Sequence, residues 1–558
     1  MEVSHQFKAT SLSVPSPTGT HIASLSGSRL QIRALSTQEV THSIVLPSSQ
    51  DLRASQIRWS PPVIQPSTTS LLSTPDRKRR SVLPPQSNRV LVADEENTRV
   101  YDLRDEKWSA VINNGSGGMG KNVHVEFGRT EDEVLVWSDF ASKITVWCLN
   151  KGRTVEIKDP KFPGKEGKGW GFRACANGAG GVLALLCRSM GQDILLLLAP
   201  RSYNVLRKVE LATVDAQGVR WSRDGRWIAV WDSPGAGYKV YVYTADGHLY
   251  RTVGGDLAEG DIEGLGVKSV EWVPGNQYLA VGGWDRRVRM FGCKTFSPSV
   301  TLSHTPTIEI PATPVFTEQV SSTGTRSYTL TPQPVAPPIA TTTPNDTVPK
   351  KGISLINFSC DGKIAATRDD SAPTTVWIWD LQALRPKAIC IQHAPVKSLT
   401  WHPTNPSLLL IQCTHDVPII YLWSAASSQS QSQQLSSVSL SISPPQILTL
   451  TANLAKPAGT ATAKWNAKWI STDPDLKSVL LFGHQQGYDG GEESEDSLYE
   501  ILTGKKEVPR LEVDDWAEVA AEEDSTVGFD DTFREKRKER EAQSEQSEFF
   551  ESGMDEMF

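Results

Sequence analysis

No stretch of this sequence reaches the roughly 20 consecutive apolar residues that a membrane-spanning helix requires. The most apolar segment, residues 182–199, is interrupted by Arg188 and Asp193. The opening residues Met1-Glu2-Val3-Ser4-His5-Gln6 lack the apolar core of a secretory leader. The seven cysteines (148, 175, 187, 293, 360, 390 and 413) form no CxxC pair, and their number is odd. That pattern fits reduced thiols of an intracellular protein and argues against a disulfide framework. Ten histidines include no HxH or HExxH arrangement, and neither a phosphate-binding P-loop nor a GxSxG elbow is present. The formal net charge of −7 over 558 residues carries no nucleic-acid footprint. These absences leave a soluble, non-enzymatic protein without cofactor, nucleic acid or membrane as the expectation.

The acidity is unevenly placed. Residues 511–558 hold 17 acidic and 5 basic side chains, a balance of −12, so the remaining 47 acidic and 52 basic residues sum to +5. A mildly basic body thus carries an acidic tail.

What the chain does have is a recurring phrase: an aromatic strand, a polar turn ending in Asp or Gly, a hydrophobic strand, a turn with Asp, and a strand ending in an aromatic or in Trp-Asp. One copy runs from Trp221-Ser222-Arg223-Asp224-Gly225 through Trp227–Asp232 to Tyr238–Tyr243, and another from Phe358-Ser359-Cys360-Asp361-Gly362 to Val376-Trp377-Ile378-Trp379-Asp380. Such a phrase at roughly 40–45 residues is the signature of β-propeller blades. Nine candidate units centre near Val14, Trp59, Phe127, Phe172, Trp221, Trp272, Phe358, Trp401 and Trp469. The fold class expected is therefore all-β, a WD40-type propeller over residues 1–503. One large ring of eight or nine degenerate blades is favoured. An eight-bladed ring with one atypical insertion is the close rival; two rings are disfavoured, because the one obvious linker separates six units from three, too few to close. Residues 3–10 are expected to complete the last unit, which supplies only three strands of its own; closing chain start onto chain end leaves fewer open edges.

Asp94, Asp139, Asp232, Asp285, Asp370 and Asp416 fall at the turn after the second strand, where a carboxylate can accept backbone N–H groups. The Gly-His dipeptide that usually opens such a repeat is missing, since Gly247-His248 and Gly483-His484 stand elsewhere. Packing, more than a buried polar network, is expected to hold the blades. Trp221, Trp272, Trp379 and Trp401 read as core, because aromatic side chains bury large areas.

Four segments read as mobile insertions or tails: residues 61–88 with Arg77-Lys78-Arg79-Arg80, residues 304–349 with nine prolines, the Ser/Gln tract 424–438, and the acidic residues 504–558. Within the last, 529–550 has helix-forming composition. Arg77–Arg80 suits an import signal or plain solvated surface. His393, His402 and His415 suggest a metal only weakly and read as turn histidines. Gly487–Asp496 is rich in oxygen ligands but lacks calcium-loop spacing and reads as a solvated hairpin. Thr74, Thr305, Thr313, Thr331, Thr343 and Ser443 each precede proline and are open to a proline-directed kinase. Tyr101-Asp102-Leu103-Arg104 is similar to the Trp-Asp-x-Arg box of ubiquitin-ligase substrate receptors, with Tyr in place of Trp, and structural use of this quartet is the simpler reading. No catalytic, cofactor or metal residue emerges, and partner-contact residues stay unassigned.

Two blocks are more specific. The first is Gly218-Val219-Arg220-Trp221 with Ile228–Asp232, then Gly266–Trp272 and Tyr278–Gly282. The second is Lys351-Gly352-Ile353 through Ala366–Asp370 to Val376–Gln382. Together they resemble the centrosomal WD-repeat family known as WD repeat protein eight, also called the WD-repeat protein antisense to the p-seventy-three tumour-suppressor gene. The resemblance spans about residues 7–503, is strongest in 216–291 and 350–424, and excludes the acidic tail. It implies a non-catalytic anchoring subunit at the centrosome or fungal spindle pole body, in the cytoskeletal compartment. Its implied partners are a coiled-coil anchoring protein and, in fungi, a minus-end-directed kinesin, which together tether spindle microtubule minus ends. A ubiquitin-ligase substrate receptor, resting on Tyr101–Arg104, is the alternative.

Overall fold

The computed structural model describes residues 2–3, 7–9, 13–52, 54–63, 85–113, 121–139, 142–161, 168–174, 181–254, 266–341, 350–425, 442–450, 464–470, 479–485 and 497–503. The basic cluster Arg77–Arg80, most of the insertions 61–88 and 424–438, the Gly487–Asp496 turn, and the tail 504–558 with its candidate helix 529–550 lie outside these residues.

The described chain is built from antiparallel strands, interrupted by short helical turns such as Pro234–Ala236. Its strands gather into nine sheets, and each expected unit opens one of them. Strand order inside a sheet follows the sequence. In the fifth sheet Gly218–Trp221, Trp227–Trp231, Val240–Thr244 and Leu249–Val253 pair in succession. Its two middle strands are apolar on both faces: Ile228, Val230 and Tyr241 face the fourth sheet, and Ala229, Trp231 and Val242 the sixth. Leu183–Ser189 begins with five buried residues, whereas the outermost strand of the same sheet, Val205–Glu210, is almost wholly exposed. The ninth sheet takes its fourth strand from the chain start, with Glu2 opposite Thr503 and Val3 opposite Leu502. Residues near the N-terminus thus complete the last unit, as their position suggests.

The chain divides into two compact units. Residues 9–158 carry the first three sheets, and residues 1–8 with 159–504 carry the fourth to ninth. The division falls after the third sheet and not at the Pro/Thr-rich segment. Inside each unit, apolar side chains from adjacent sheets form one cluster per boundary. Leu195, Leu197 and Leu186 of the fourth sheet meet Val219, Ile228 and Tyr241 of the fifth. Ala23, Leu30 and Ile32 of the first meet Ile57, Trp59 and Val90 of the second. Fully burying one such side chain contributes about 1.5–3 kcal/mol.

The tryptophan that ends several first strands has a second task. Its indole N–H reaches back to a carbonyl of the preceding sheet's first strand. Trp59 bonds Val14 at 2.8 Å, Trp221 bonds Gly171 at 2.9 Å, Trp272 bonds Arg220 at 3.3 Å, Trp401 bonds Asn357 at 3.2 Å and Trp469 bonds Thr400 at 3.1 Å. Trp272, Trp379 and Trp401 are buried as expected, but Trp221 is only half-buried, with the Arg173 guanidinium above its ring.

The largest departure from expectation is residues 304–341. Composition reads them as a mobile loop, yet Val315–Val320 and Arg326–Leu330 form a hairpin. Val315–Val320 pairs in parallel with Arg385–Ile391, the fourth strand of the seventh sheet, and so extends that sheet to six strands. Val315 and Phe316 are buried against it. A short alternating run inside a proline-rich segment found an open sheet edge, and edge pairing offsets the ordering that composition alone disfavours.

Candidate functional site

First strands of the fifth to eighth sheets converge on a groove of about 240 Å³. Arg220, Glu271, Ser269, Asn357 and Leu399 line it. Arg220 of the fifth sheet and Glu271 of the sixth form an ion pair across the boundary. Burial pushes the Glu271 carboxyl upward, and the Arg220 guanidinium only partly reverses this. Ser269 donates its hydroxyl to the Ile353 carbonyl at 2.7 Å, and the Asn357 amide donates to Leu399 at 2.8 Å. These polar groups tie one sheet to the next. Among the described lining residues no nucleophile stands beside a base and an orienting group.

A buried polar relay stands beside the packing that is expected to hold the blades. His304, just beyond the sixth sheet's last strand, packs edge-on against the stacked rings of Trp377 and Trp379, with centroids at 5.2 and 5.6 Å. Its Nδ1 faces the Arg286 carbonyl at 3.2 Å, which can only accept, so the proton sits on Nδ1. Nε2 then accepts the Thr367 hydroxyl at 2.8 Å, and Thr367 accepts the Trp379 indole N–H at 2.7 Å. Burial lowers the His304 pKa, which keeps the ring neutral as this relay requires. Asp369 completes it, taking the N–H of Gly352 at 2.9 Å and the Arg286 guanidinium at 2.7 Å. Sequence reading misses His304 because Ser303 precedes it in place of Gly, and the hairpin separates it from its sheet. The pairing signal is Thr367 with Trp379.

The turn aspartates divide in use. Asp94 accepts N–H groups of Glu96 and Asn97 at 2.8 and 2.6 Å, plus the Gln50 amide at 2.8 Å. Asp139 accepts the Lys121 N–H at 2.5 Å. Asp232 accepts those of Val214 and Asp215 at 2.9 and 2.8 Å. Asp285 and Asp370 instead take Arg289 at 2.6 Å and Lys268 at 2.7 Å; Asp369, one residue earlier, does the backbone work expected of Asp370. The backbone carbonyl of Asp416 accepts the Trp465 indole at 3.2 Å.

A second buried set locks the hairpin. Glu318, with no exposed side chain, accepts the Tyr421 hydroxyl at 2.7 Å, Arg326 at 2.8 Å and the His393 N–H at 2.7 Å. His415 meets the Tyr421 hydroxyl at 2.8 Å, and Tyr328 donates to Gln392 at 2.6 Å. Burial foremost, with help from Arg326, pushes the His415 imidazole down to about 4. The three histidines singled out in the sequence therefore have structural posts. His402 Nδ1 accepts the N–H groups of Thr404 and Asn405 at 3.2 and 2.9 Å and so caps a turn.

Tyr101 is buried, and Arg104 is held by Asp102 at 2.6 Å and Glu131 at 3.0 Å. Burial would raise the Asp102 carboxyl, but hydrogen bonds from Arg104 and Arg89 hold it at about 2. The quartet is thus a structural knot. Of the proline-directed positions, Thr313 is buried and donates to the Pro386 carbonyl at 3.0 Å, Thr331 bonds Thr317 at 2.6 Å, and Thr305 is exposed. Thr74 and Thr343 lie outside the described residues.

Residues 260–291, which hold the first three strands of the sixth sheet, match the family model described as WD domain, G-beta repeat. These residues thus carry a WD repeat. The chain is 28% identical to the mouse WD repeat-containing protein WRAP73 over 453 residues, covering 76% of this chain and 87% of the mouse protein. An uncharacterized WD repeat-containing protein of Schizosaccharomyces pombe is 28% identical over 50% of this chain and 56% of its own length. Among solved structures, a crystal structure of a eukaryotic initiation factor overlaps 74% of this chain and 84% of its own, at 11% identity and a TM-score of 0.44. The WD-repeat relationship to WRAP73 supports a protein-interaction role. No helix among the described residues is long and apolar enough to cross a membrane.

Proposed function

We propose that this WD-repeat chain is a non-catalytic scaffold of the microtubule-organising centre. It holds a coiled-coil anchoring protein and, in a fungal setting, a minus-end-directed kinesin, so that spindle microtubule minus ends stay tethered at the pole. The observation that carries the reading is the similarity to WRAP73 over three quarters of the chain, together with the family-like blocks 216–291 and 350–424. Rigid sheets holding turn residues in fixed positions suit such a role, since loops on a rigid frame carry binding. The ion pairs of Arg104 with Asp102 and Glu131 favour structural use of Tyr101–Arg104 over a ubiquitin-ligase receptor. Affinity purification of the tagged full chain from mitotic cells tests the proposal. Recovery of a coiled-coil pole component with tubulin is expected; repeated recovery of neither overturns it.

A further inference from the structure

The fifth and sixth sheets meet at an aromatic ledge that no described segment covers. Trp227 and Tyr250 lie 4.7 Å apart, centroid to centroid, and both rings pack against Phe296 at 5.2 and 5.9 Å. Trp272 closes the inner side at 6.2 Å. Phe296 is fully buried yet holds φ at +53°, a conformation that non-glycine residues adopt at a cost and that dense surroundings must enforce. Tyr250, in contrast, is 48% exposed.

A bulge in the fifth sheet's outermost strand turns Tyr250 toward this boundary. Arg251 stands opposite Val242 and Leu249 opposite Tyr243, so Tyr250 is the extra residue and shares the side of Arg251. The Tyr250 hydroxyl donates to the Lys294 carbonyl at 3.2 Å, which fixes the ring and brings Lys294 to the rim. Arg226, preceding Trp227, is 78% exposed, and its nearest carboxylate, Asp224, stands 3.7 Å away. Arg226, Arg251 and Lys294 are all exposed, so among the described residues at this rim positive charge outweighs Asp224.

Half-exposed Trp and Tyr on a rigid base, rimmed by arginine, is the composition that dominates binding energy at protein interfaces. We propose that the Trp227–Tyr250–Phe296 ledge docks an acidic segment of a partner protein, with an aliphatic or aromatic side chain of that segment seated on the rings and its carboxylates meeting Arg226, Arg251 and Lys294. The surface is separate from the polar groove of the first strands, and it stands whether or not the partner belongs to a spindle pole.

A random 12-residue peptide display library, selected on the full chain and counter-selected on a Tyr250→Ala/Arg251→Glu variant, tests the assignment. Both positions are exposed, and an unchanged unfolding midpoint verifies that the variant folds. Enriched peptides are expected to be acidic with one large apolar residue, to bind the variant at least about tenfold more weakly, and to lose affinity with added salt. Tyr250→Phe is expected to retain most of the binding. Failure of any peptide to enrich, enrichment of basic peptides, or equal binding to the variant overturns the proposal. So does binding of phosphatidylserine vesicles that depends on the same residues in the absence of peptide enrichment.

Discussion

Glu318→Ala is the sharpest test of how the inserted hairpin is held. In the native chain its carboxylate is buried and carries the Tyr421 hydroxyl, the Arg326 guanidinium and the His393 N–H, all between 2.7 and 2.8 Å. Truncation leaves a largely buried guanidinium without its anion and two donors without an acceptor. Breaking a buried pair in this way costs about 3–5 kcal/mol. Tyr421→Phe removes one hydrogen bond and leaves the ion pair, so about 1 kcal/mol is at stake.

Because the chain has two units, a single unfolding free energy is poorly defined, and residue-resolved hydrogen exchange is the suitable assay. At one decade per 1.4 kcal/mol, amides of Val315–Val320 and Arg326–Leu330 should exchange on the order of 10² to 10³ times faster in Glu318→Ala. The change for Tyr421→Phe is about fivefold. The fifth sheet should be unaffected in both. Exchange in the hairpin within twofold of the native chain, or equal effects of the two variants, would refute the claim that a buried charge network holds this segment.

His415, held near pH 4 while its unfolded form titrates near 6.5, is neutral in the folded chain, so the unfolded chain binds the extra proton as pH falls. Its contribution is full above about pH 6.5 and declines toward pH 4 by at most about 1.4 kcal/mol per unit; amide protection of Ile419–Ser424, corrected for intrinsic exchange, should drop from pH 7 to 5 by more in the native chain than in His415→Phe. Gly352 adopts φ of +89°, and a Cβ there would meet the Trp284 Cα at 2.7 Å, so Gly352→Ala should cost about 1–3 kcal/mol, read as faster exchange at the seventh sheet's first strand. Trp379→Phe keeps the aromatic fill but strips the Thr367 hydroxyl of a donor; a loss of about 1 kcal/mol in the seventh sheet is expected by exchange, with no spread to the first three sheets. Arg104→Ala should leave binding of a ubiquitin-ligase adaptor unchanged, whereas adaptor binding that disappears with the side chain would restore the receptor reading.

Sequence periodicity places the sheets because it is a local signal. An aromatic first strand, an apolar second strand and an Asp turn recur whether or not the neighbours are known, and all nine expected positions open a sheet. What it cannot carry is pairing across a gap. His304 belongs to a relay whose Thr367 lies 63 residues on, and nothing about Ser303-His304 marks it apart from other exposed-looking loop histidines. Likewise the partner of Val315–Val320 is Arg385–Ile391, joined in parallel only after the first three strands of the same sheet have been laid down, so proline content outweighs a weak strand pattern in a composition reading. Trp221 illustrates the same limit on a smaller scale: its indole bond to Gly171 is what favours tryptophan there, while burial alone would have accepted leucine.

The recognition surfaces follow from a division of labour among strands. In the fifth to eighth sheets, second and third strands are buried on both faces and leave little freedom to vary, so specificity there must come from the first strands at the groove, the outermost strands and the connections. In the first-strand groove the polar groups are largely spent on neighbouring sheets, as Ser269 and Asn357 show. At the outermost strands a bulge releases one residue from the pairing rhythm, and in the fifth sheet that residue is Tyr250, which uses its hydroxyl to hold position and leaves its ring face open. An aromatic that is both fixed and exposed has already lost the side-chain freedom that binding would otherwise cost. For that reason the ledge, more than the larger groove, is where a partner would gain most affinity per residue contacted.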